Sequence, residues 1–251
     1  MIHNLNEREQ ALIDLIMEDP NCSVSQMSKV LQISAVTVRS VLNSLADKGM
    51  IVRTWGGAAP AFHPAIAERQ RTAVECKHRI ARAAAALVDE GDTIMIEAGT
   101  TTALVARYIF GKRNISVVSN STLILPYARA NPQLSLTMVG GSFRPETESF
   151  VGPLALGELE RFHVRTAFVG TDGFTIEHGL STHLVEGAEI VRKISQQAER
   201  VVMVADSSKW GHRGFVAVLP LDGITHIVTD RDLPQQACEA LTDCGLDVQR
   251  V

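Results

Sequence analysis

From Gly91 onward, short apolar runs alternate with helical stretches, and this alternation narrows the possible folds more than any other feature of the chain. The runs cover residues 93–97, 115–119, 134–139, 166–170, 201–205 and 224–229. They are apolar almost without a break, so each predicted strand is covered on both faces. That pattern belongs to a mainly parallel sheet clothed by crossover helices, an α/β architecture. In such sheets small ligands settle beyond the carboxyl ends of the strands.

Those ends share a type of sequence. They read Glu97-Ala98-Gly99-Thr100-Thr101-Thr102, Ser119-Asn120-Ser121, Gly140-Gly141-Ser142-Phe143-Arg144, Gly170-Thr171-Asp172-Gly173 and Asp206-Ser207-Ser208-Lys209. In the first, Gly99 permits a tight turn. Thr100, Thr101 and Thr102 then offer hydroxyl and N–H groups at a helix start, where the dipole favours an anion. No GK[ST] and no GxGxxG follows, so neither ATP nor NAD is supported. Arg144 and Lys209 are candidate cationic clamps, and Asp172 and Glu189 candidate acceptors for sugar hydroxyls. A single glycine–serine loop after a strand is commonly a plain connection. Five of them on one sheet edge (with Asn120, Ser121, Gly140, Gly141 and Gly173) make a joint case for a small anionic ligand.

The first sixty residues have a different pattern. Asn6 is placed to cap a helix over 7–18, with Leu12, Leu15 and Ile16 as its apolar stripe, ended by Pro20-Asn21. Ser23 or Ser25 opens a second helix over 26–31, Gln32-Ile33 turns, and Ser34 caps a third helix to about Lys48, stopped by Gly49. Val38, Leu42 and Leu45 share one face of that third helix; Val36, Ser40, Asn43 and Asp47 lie opposite. In a helix-turn-helix the exposed face enters the major groove. Ser34, Thr37, Arg39, Ser40 and Asn43 are therefore the candidate DNA contacts: Arg39 for guanine or phosphate, Asn43 for adenine, the hydroxyls for phosphate. Residues 50–58, through Arg53 and Gly56-Gly57, read as a hairpin wing. A three-helix bundle used for protein contacts has the same periodicity.

The motif Ile33-Ser34-x-x-Thr37-Val38-Arg39, followed by Leu42, Leu45, Gly49, Arg53 and Gly56-Gly57-Ala58, resembles the N-terminal domain of DeoR-family bacterial regulators over residues 5–60. One position departs. The family continues its recognition helix with two arginines and an aspartate, whereas Ser40 and Val41 follow Arg39 here. A lost donor removes about 1–3 kcal/mol of base discrimination or a phosphate contact, so the operator sequence does not carry over. The strand-end loops, with Glu186-x-x-Glu189-x-x-Arg192 and Asp206-Ser207-Ser208-Lys209-Trp210, resemble the sensor domain of the same family from 75 to about 230. The resemblance implies a sensor similar in fold to ribose-phosphate isomerases and amino-sugar-phosphate deaminases. It also implies a phosphorylated sugar or sugar-alcohol effector, and assembly as a homodimer or homotetramer.

Expected organisation is thus a winged helix-turn-helix over 1–58, with Arg53 among its DNA contacts, a linker over 59–74 marked by Pro60 and Pro64, and an α/β sensor over 75–251. A helix is expected over 68–88. Net charge is −4, but between residues 20 and 60 Lys29, Arg39, Lys48 and Arg53 face Asp47 alone, a modest positive surface. No signal peptide or span of ~20 apolar residues is read, which gives a cytoplasmic expectation without membrane contact. Cys22, Cys76, Cys238 and Cys244 lack CxxC spacing, and no HExxH or Cys/His cluster occurs, so no metal or cofactor is expected.

The expected function is a repressor of a carbohydrate-utilisation operon, binding double-stranded operator DNA under control of a sugar phosphate. An alternative is a sugar-phosphate isomerase with Glu97, Asp172 or Glu189 as base. Against it, Phe174 stands where the deaminase relatives of the resemblance carry a catalytic histidine. No catalytic residue is assigned.

Overall fold

A computed structural model describes residues 5–19 and 21–251, so the expected helix stop at Pro20 lies outside the described residues. The chain divides between Thr72 and Ala73 into two compact units.

In the first unit, α1 (Glu7–Glu18) starts with a reciprocal cap: Asn6 Oδ1 accepts from Glu9 N, and Glu9 Oε2 accepts from Asn6 N. Helix α2 (Val24–Val30) starts the same way with Ser23 and Gln26, two residues earlier than the sequence suggests. Ser34 caps α3 (Ala35–Asp47) by accepting from Thr37 N. Leu12, Ile16, Met27, Val38, Leu42 and Leu45 are fully buried between the three helices. Strands β1 (Ile51–Thr54) and β2 (Gly57–Pro60) form an antiparallel hairpin turned at Trp55-Gly56, where Gly56 has φ +87°.

Residues 59–74, expected as a linker, carry secondary structure instead. Residues 59 and 60 complete β2, and α4 (Pro64–Arg71) follows with proline at its first turn. The helix expected over 68–88 is two helices, α4 and α5 (Val74–Ala86). Thr72 is extended and Ala73 left-handed (φ +52°), which interrupts the helical hydrogen-bond ladder without any glycine or proline to signal it.

The second unit is a doubly covered parallel sheet. In chain order it contains β3 (Thr93–Ile96), α6 (Thr102–Tyr108), β4 (Ile115–Ser119), α7 (Leu125–Ala130), β5 (Leu134–Met138), the hairpin β6 (Ser142–Arg144) and β7 (Ser149–Val151), then α8 (Pro153–Leu159) and β8 (Val164–Val169). There follow β9 (Gly173–Thr175), β10 (Gly179–Thr182), α9 (Val185–Gln196), β11 (Ala198–Val204), β12 (Val216–Leu219), β13 (His226–Thr229), α10 (Gln235–Asp243) and β14 (Asp247–Arg250). Seven strands pair in the order β14-β13-β11-β8-β3-β4-β5, all parallel. A separate antiparallel sheet has the order β12-β10-β9.

Each face of the main sheet has its own core. Met95, Ala167, Val169, Met203 and Ile227 pack on one side with α8, α9 and α10 residues; Ile94, Ile96, Val117, Phe168, Val202 and Val204 pack on the other with α5 and α6. Alternate residues of one strand thus enter different cores, which is why the sequence shows no alternation. The three short antiparallel pairings of this unit and β14 were not legible, because strands of three or four residues are too brief for a periodicity. All four cysteines are free; Cys22 is buried, and burial raises the pKa of its thiol. Among the described residues no helix is long and apolar enough to cross a membrane.

Candidate functional site

The exposed side of α3 carries Arg39, Ser40 and Asn43, with Val36 exposed one turn earlier. Ser34 and Thr37 are partly spent on each other: their hydroxyls lie 2.8 Å apart, and Ser34 Oγ also takes the Thr37 N–H. Arg53 on β1 reaches across to α3, donating from Nη1 to Asn43 Oδ1 at 2.8 Å. The hairpin therefore reaches the exposed side of the helix that carries Asn43. At its tip Trp55 is 106% exposed, packed on nothing. Trp55 and Val36 add to the candidate contact surface. The available signal was an aromatic residue beside the Gly56-Gly57 turn and an apolar side chain opposite the helix's buried stripe.

Lys48 is a different case from the other basic residues of this unit. Its Nζ donates to Glu9 Oε1 at 2.6 Å, and Ser44 Oγ donates to the same oxygen at 2.9 Å. Lys48, then the N–H of Asn6 and the Ser44 hydroxyl, hold the Glu9 carboxyl below its ordinary value against the opposing effect of burial. This cluster clamps α1 to α3, so Lys48 braces the helix rather than adding to a phosphate-facing surface.

In the second unit the strand-end loops interlock. Glu97 Oε2 accepts from Gly170 N at 3.0 Å, joining the loop after β3 to the loop after β8. Asn120 is buried; its Oδ1 accepts from Ala98 N (3.1 Å) and its Nδ2 donates to Phe150 O (3.1 Å). Both ends of that amide are therefore used to join the loops after β3 and β4 to β7. A Cβ on Gly173 would stand 2.3 Å from His212 O, so only glycine lets residues 170–173 press against the segment after Lys209. Trp210 packs edge-on against Phe174 at 5.3 Å, closing the same junction. Gly99, Thr101, Asn120, Ser121, Asp172, Gly173 and Lys209 thus sit on loops tied into one edge.

Their chemistry is not uniform. Thr102 is fully buried and donates to Gly99 O at 3.0 Å, so its hydroxyl closes the turn. Thr100 is half-buried and Thr101 begins α6. Asp172 Oδ2 accepts from Thr182 Oγ1 (2.7 Å) and His183 N (3.1 Å). Lys209 is half-buried in a short 3₁₀ turn. Ser121 is fully buried, and its Oγ has no hydrogen-bond partner among the described residues. A buried hydroxyl left unpaired costs about 1–3 kcal/mol.

Four further expected members have surroundings of their own. Gly140 N donates to Glu158 Oε2 of α8 at 2.7 Å, and Gly141 lies against Val151 and Ala155. Arg144, expected as a clamp, forms an ion pair with Glu186 at the start of α9. Glu186 is held below its ordinary value first by its own N–H and then by Arg144. Glu189 lies on the exposed side of α9. Phe174 is fully buried in the core, which leaves its position without a proton-transfer group.

Comparison with known proteins covers both units. Residues 8–61 match the DeoR-like helix-turn-helix domain and residues 72–231 the DeoR C terminal sensor domain. The chain is 32% identical over 247 residues to the HTH-type transcriptional regulator GlpR of Haloferax volcanii, covering 96% of each chain. It is 31% identical over 247 residues to the HTH-type transcriptional repressor GlcR of Bacillus subtilis, covering 96% of this chain and 95% of that one. Among solved structures, 53% of this chain aligns with 53% of ribose 5-phosphate isomerase A from Methanocaldococcus jannaschii at 20% identity and TM-score 0.39.

Proposed function

The chain belongs to the DeoR family of DNA-binding transcriptional regulators and is not an enzyme, and from that premise we propose that it is a repressor of a carbohydrate-utilisation operon whose grip on its operator is released by a phosphorylated sugar or sugar alcohol. Helix α3 and the wing bind the operator, with Arg39, Asn43 and Arg53 at the base edges or phosphates and Ser34, Thr37 and Ser40 beside them. A single small module has limited affinity, so two or more copies engage DNA together, as a homodimer or homotetramer in the cytoplasm.

The observation that carries the effector assignment is Ser121. Its orphaned, buried hydroxyl lies in the interlocked edge that also holds the start of α6, Asp172 and Lys209. Thr100 and Thr101 with Lys209 take the phosphate, and Asp172 takes sugar hydroxyls. Gly99, Thr102, Asn120 and Gly173 shape the receptor rather than touch the ligand.

The test is a gel-shift titration of operator DNA across a panel of sugar phosphates, paired with thermal shifts of the protein alone. One compound is expected to weaken operator binding and to stabilise the free protein by about 2.7 kcal/mol at 100 times its dissociation constant. If no compound does either, the sensor assignment fails. Binding that stabilises the protein but leaves the operator affinity unchanged removes the control mechanism, because a ligand shifts an equilibrium only by its differential affinity for the two states.

A further inference from the structure

Arg192 closes the Glu186-x-x-Glu189-x-x-Arg192 motif, and the effector edge makes no use of it. It stands two turns into α9 and is half-buried. Its Nε donates to Val218 O at 3.1 Å and its Nη2 to Ala217 O. The β12–β10 ladder explains why two successive carbonyls face one side chain. Leu180 pairs with Leu219 and Ser181 with Ala217, so Val218 is an extra residue, a bulge that turns both carbonyls toward the guanidinium. Three of the five N–H donors of Arg192 are left over, and no carboxylate pairs with it among the described residues.

The same guanidinium borders a cavity of about 270 Å³ between the β9–β10 turn, β12 and α9. Ile176, Val218, Leu219 and Leu221 supply apolar walls. Gly179 lets the turn close over β12: its φ is +63°, and a Cβ there would stand 2.1 Å from Leu219 O. Glu177 and His178 line the cavity from exposed positions in that turn, and Arg213 Nη1 donates to His178 Nε2 at 3.3 Å. The cavity is thus built on a rigid frame, with one oriented cation set against an apolar wall.

A planar fork with spare donors takes both oxygens of a carboxylate, and apolar walls of this extent take a small hydrocarbon body. A doubly charged phosphate monoester is a poorer match, because it would meet a single cation with the Glu177 carboxylate on the same lining. We propose that this cavity binds a small aliphatic or aromatic monocarboxylate, anchored head-on by Arg192 with its apolar body against Ile176, Val218 and Leu219. The site is distinct from the candidate effector edge, yet one strand joins them. Gly179 at the start of β10 walls the cavity, and Thr182 at its end donates to Asp172 Oδ2, a span of about 10 Å along the strand. The assignment does not depend on the sugar-phosphate reading.

Isothermal titration of the full chain with benzoate and hexanoate tests it, with benzyl alcohol and hexanol as uncharged counterparts. At least one acid is expected to bind with a millimolar or tighter dissociation constant, and its alcohol at least tenfold more weakly. Arg192→Gln should weaken the acid at least tenfold. Arg192 also braces β12, so a second variant leaves it in place: Ala217 is exposed on the cavity lining, and Ala217→Trp should fill the space and abolish binding without lowering the melting temperature. Ser121→Ala, at the other edge, should leave the affinity for the acid unchanged. Failure of both acids to bind, alcohols that bind as tightly, full affinity in Arg192→Gln or Ala217→Trp, or loss of affinity in Ser121→Ala each overturns the proposal. A panel of sugar phosphates that all fail to bind leaves this result standing, since the two sites are read with different compounds.

Discussion

Arg53 of the wing holds the side-chain oxygen of Asn43 on α3, Nη1 to Oδ1, at 2.8 Å. With Oδ1 accepting from the guanidinium, the amide orientation is set. Nδ2 points away as a donor, and the second lone pair of Oδ1 stays available, the arrangement an asparagine needs to read adenine bidentately. Under the proposed operator reading, the wing bears on sequence recognition through this contact with the helix.

Replacing Arg53 with Ala should lower operator affinity by about 1–3 kcal/mol and relax discrimination at the base read by Asn43. Asn43→Ala should relax the same position, and the double variant should lose less than the sum of the two. Titrations against operators altered one base at a time check this. If Arg53→Ala weakens binding equally for every operator while Asn43→Ala remains selective at one base, Arg53 serves only the phosphates.

Trp55 at the wing tip should report DNA directly. In a Trp210→Phe background it is the sole tryptophan, and adding operator should shift or quench its emission. Trp55→Ala should change stability by no more than about 0.5 kcal/mol, since the side chain packs on nothing in the free protein. Operator binding with unchanged emission would place the wing tip off the DNA.

The Glu9 cluster makes the first unit sensitive to acid. Glu9 titrates below its ordinary 4.5 in the folded chain, so its contribution is complete above that value and fades as pH falls through the lower folded value. Glu9→Gln should flatten this part of the pH profile. It should also cost about 1–3 kcal/mol near neutrality, because Lys48 and Ser44 lose a charged acceptor. Thermal melts of both proteins between pH 3 and 7 measure it; parallel curves would remove Glu9 as the source.

Ser121→Ala separates stability from sensing. Removing a buried hydroxyl that has no partner should leave the free protein unchanged or more stable, by up to about 1–3 kcal/mol. The same change should shrink the thermal shift caused by the active sugar phosphate. A full-sized ligand shift in the variant would exclude Ser121 from the receptor.

Much of the architecture was legible residue by residue. Asn6 and Ser34 cap α1 and α3 as their spacing predicts, and Val38, Leu42 and Leu45 form the buried stripe of α3. The six apolar runs all lie in the parallel sheet. The break at Ala73 was hidden, since an alanine-rich basic stretch with high helix propensity carries no stop signal. The ion pair of Arg144 was hidden for a related reason: a cation after a glycine pair resembles a phosphate clamp, and the carboxylate beside it lies 42 residues away in the chain.

Caps, helix stripes and doubly buried strands depend on neighbours a few positions apart, and the chain's order of residues determines them without further help. The pairing of Arg53 with Asn43, the use of both ends of the Asn120 amide and the meeting of Arg144 with Glu186 were decided only by the tertiary structure. These contacts join segments 10 to 42 residues apart. Which donors and acceptors are consumed, and which remain for a ligand or a partner, is settled when sheet register and loop closure bring them within bonding distance, a spacing that no local pattern encodes.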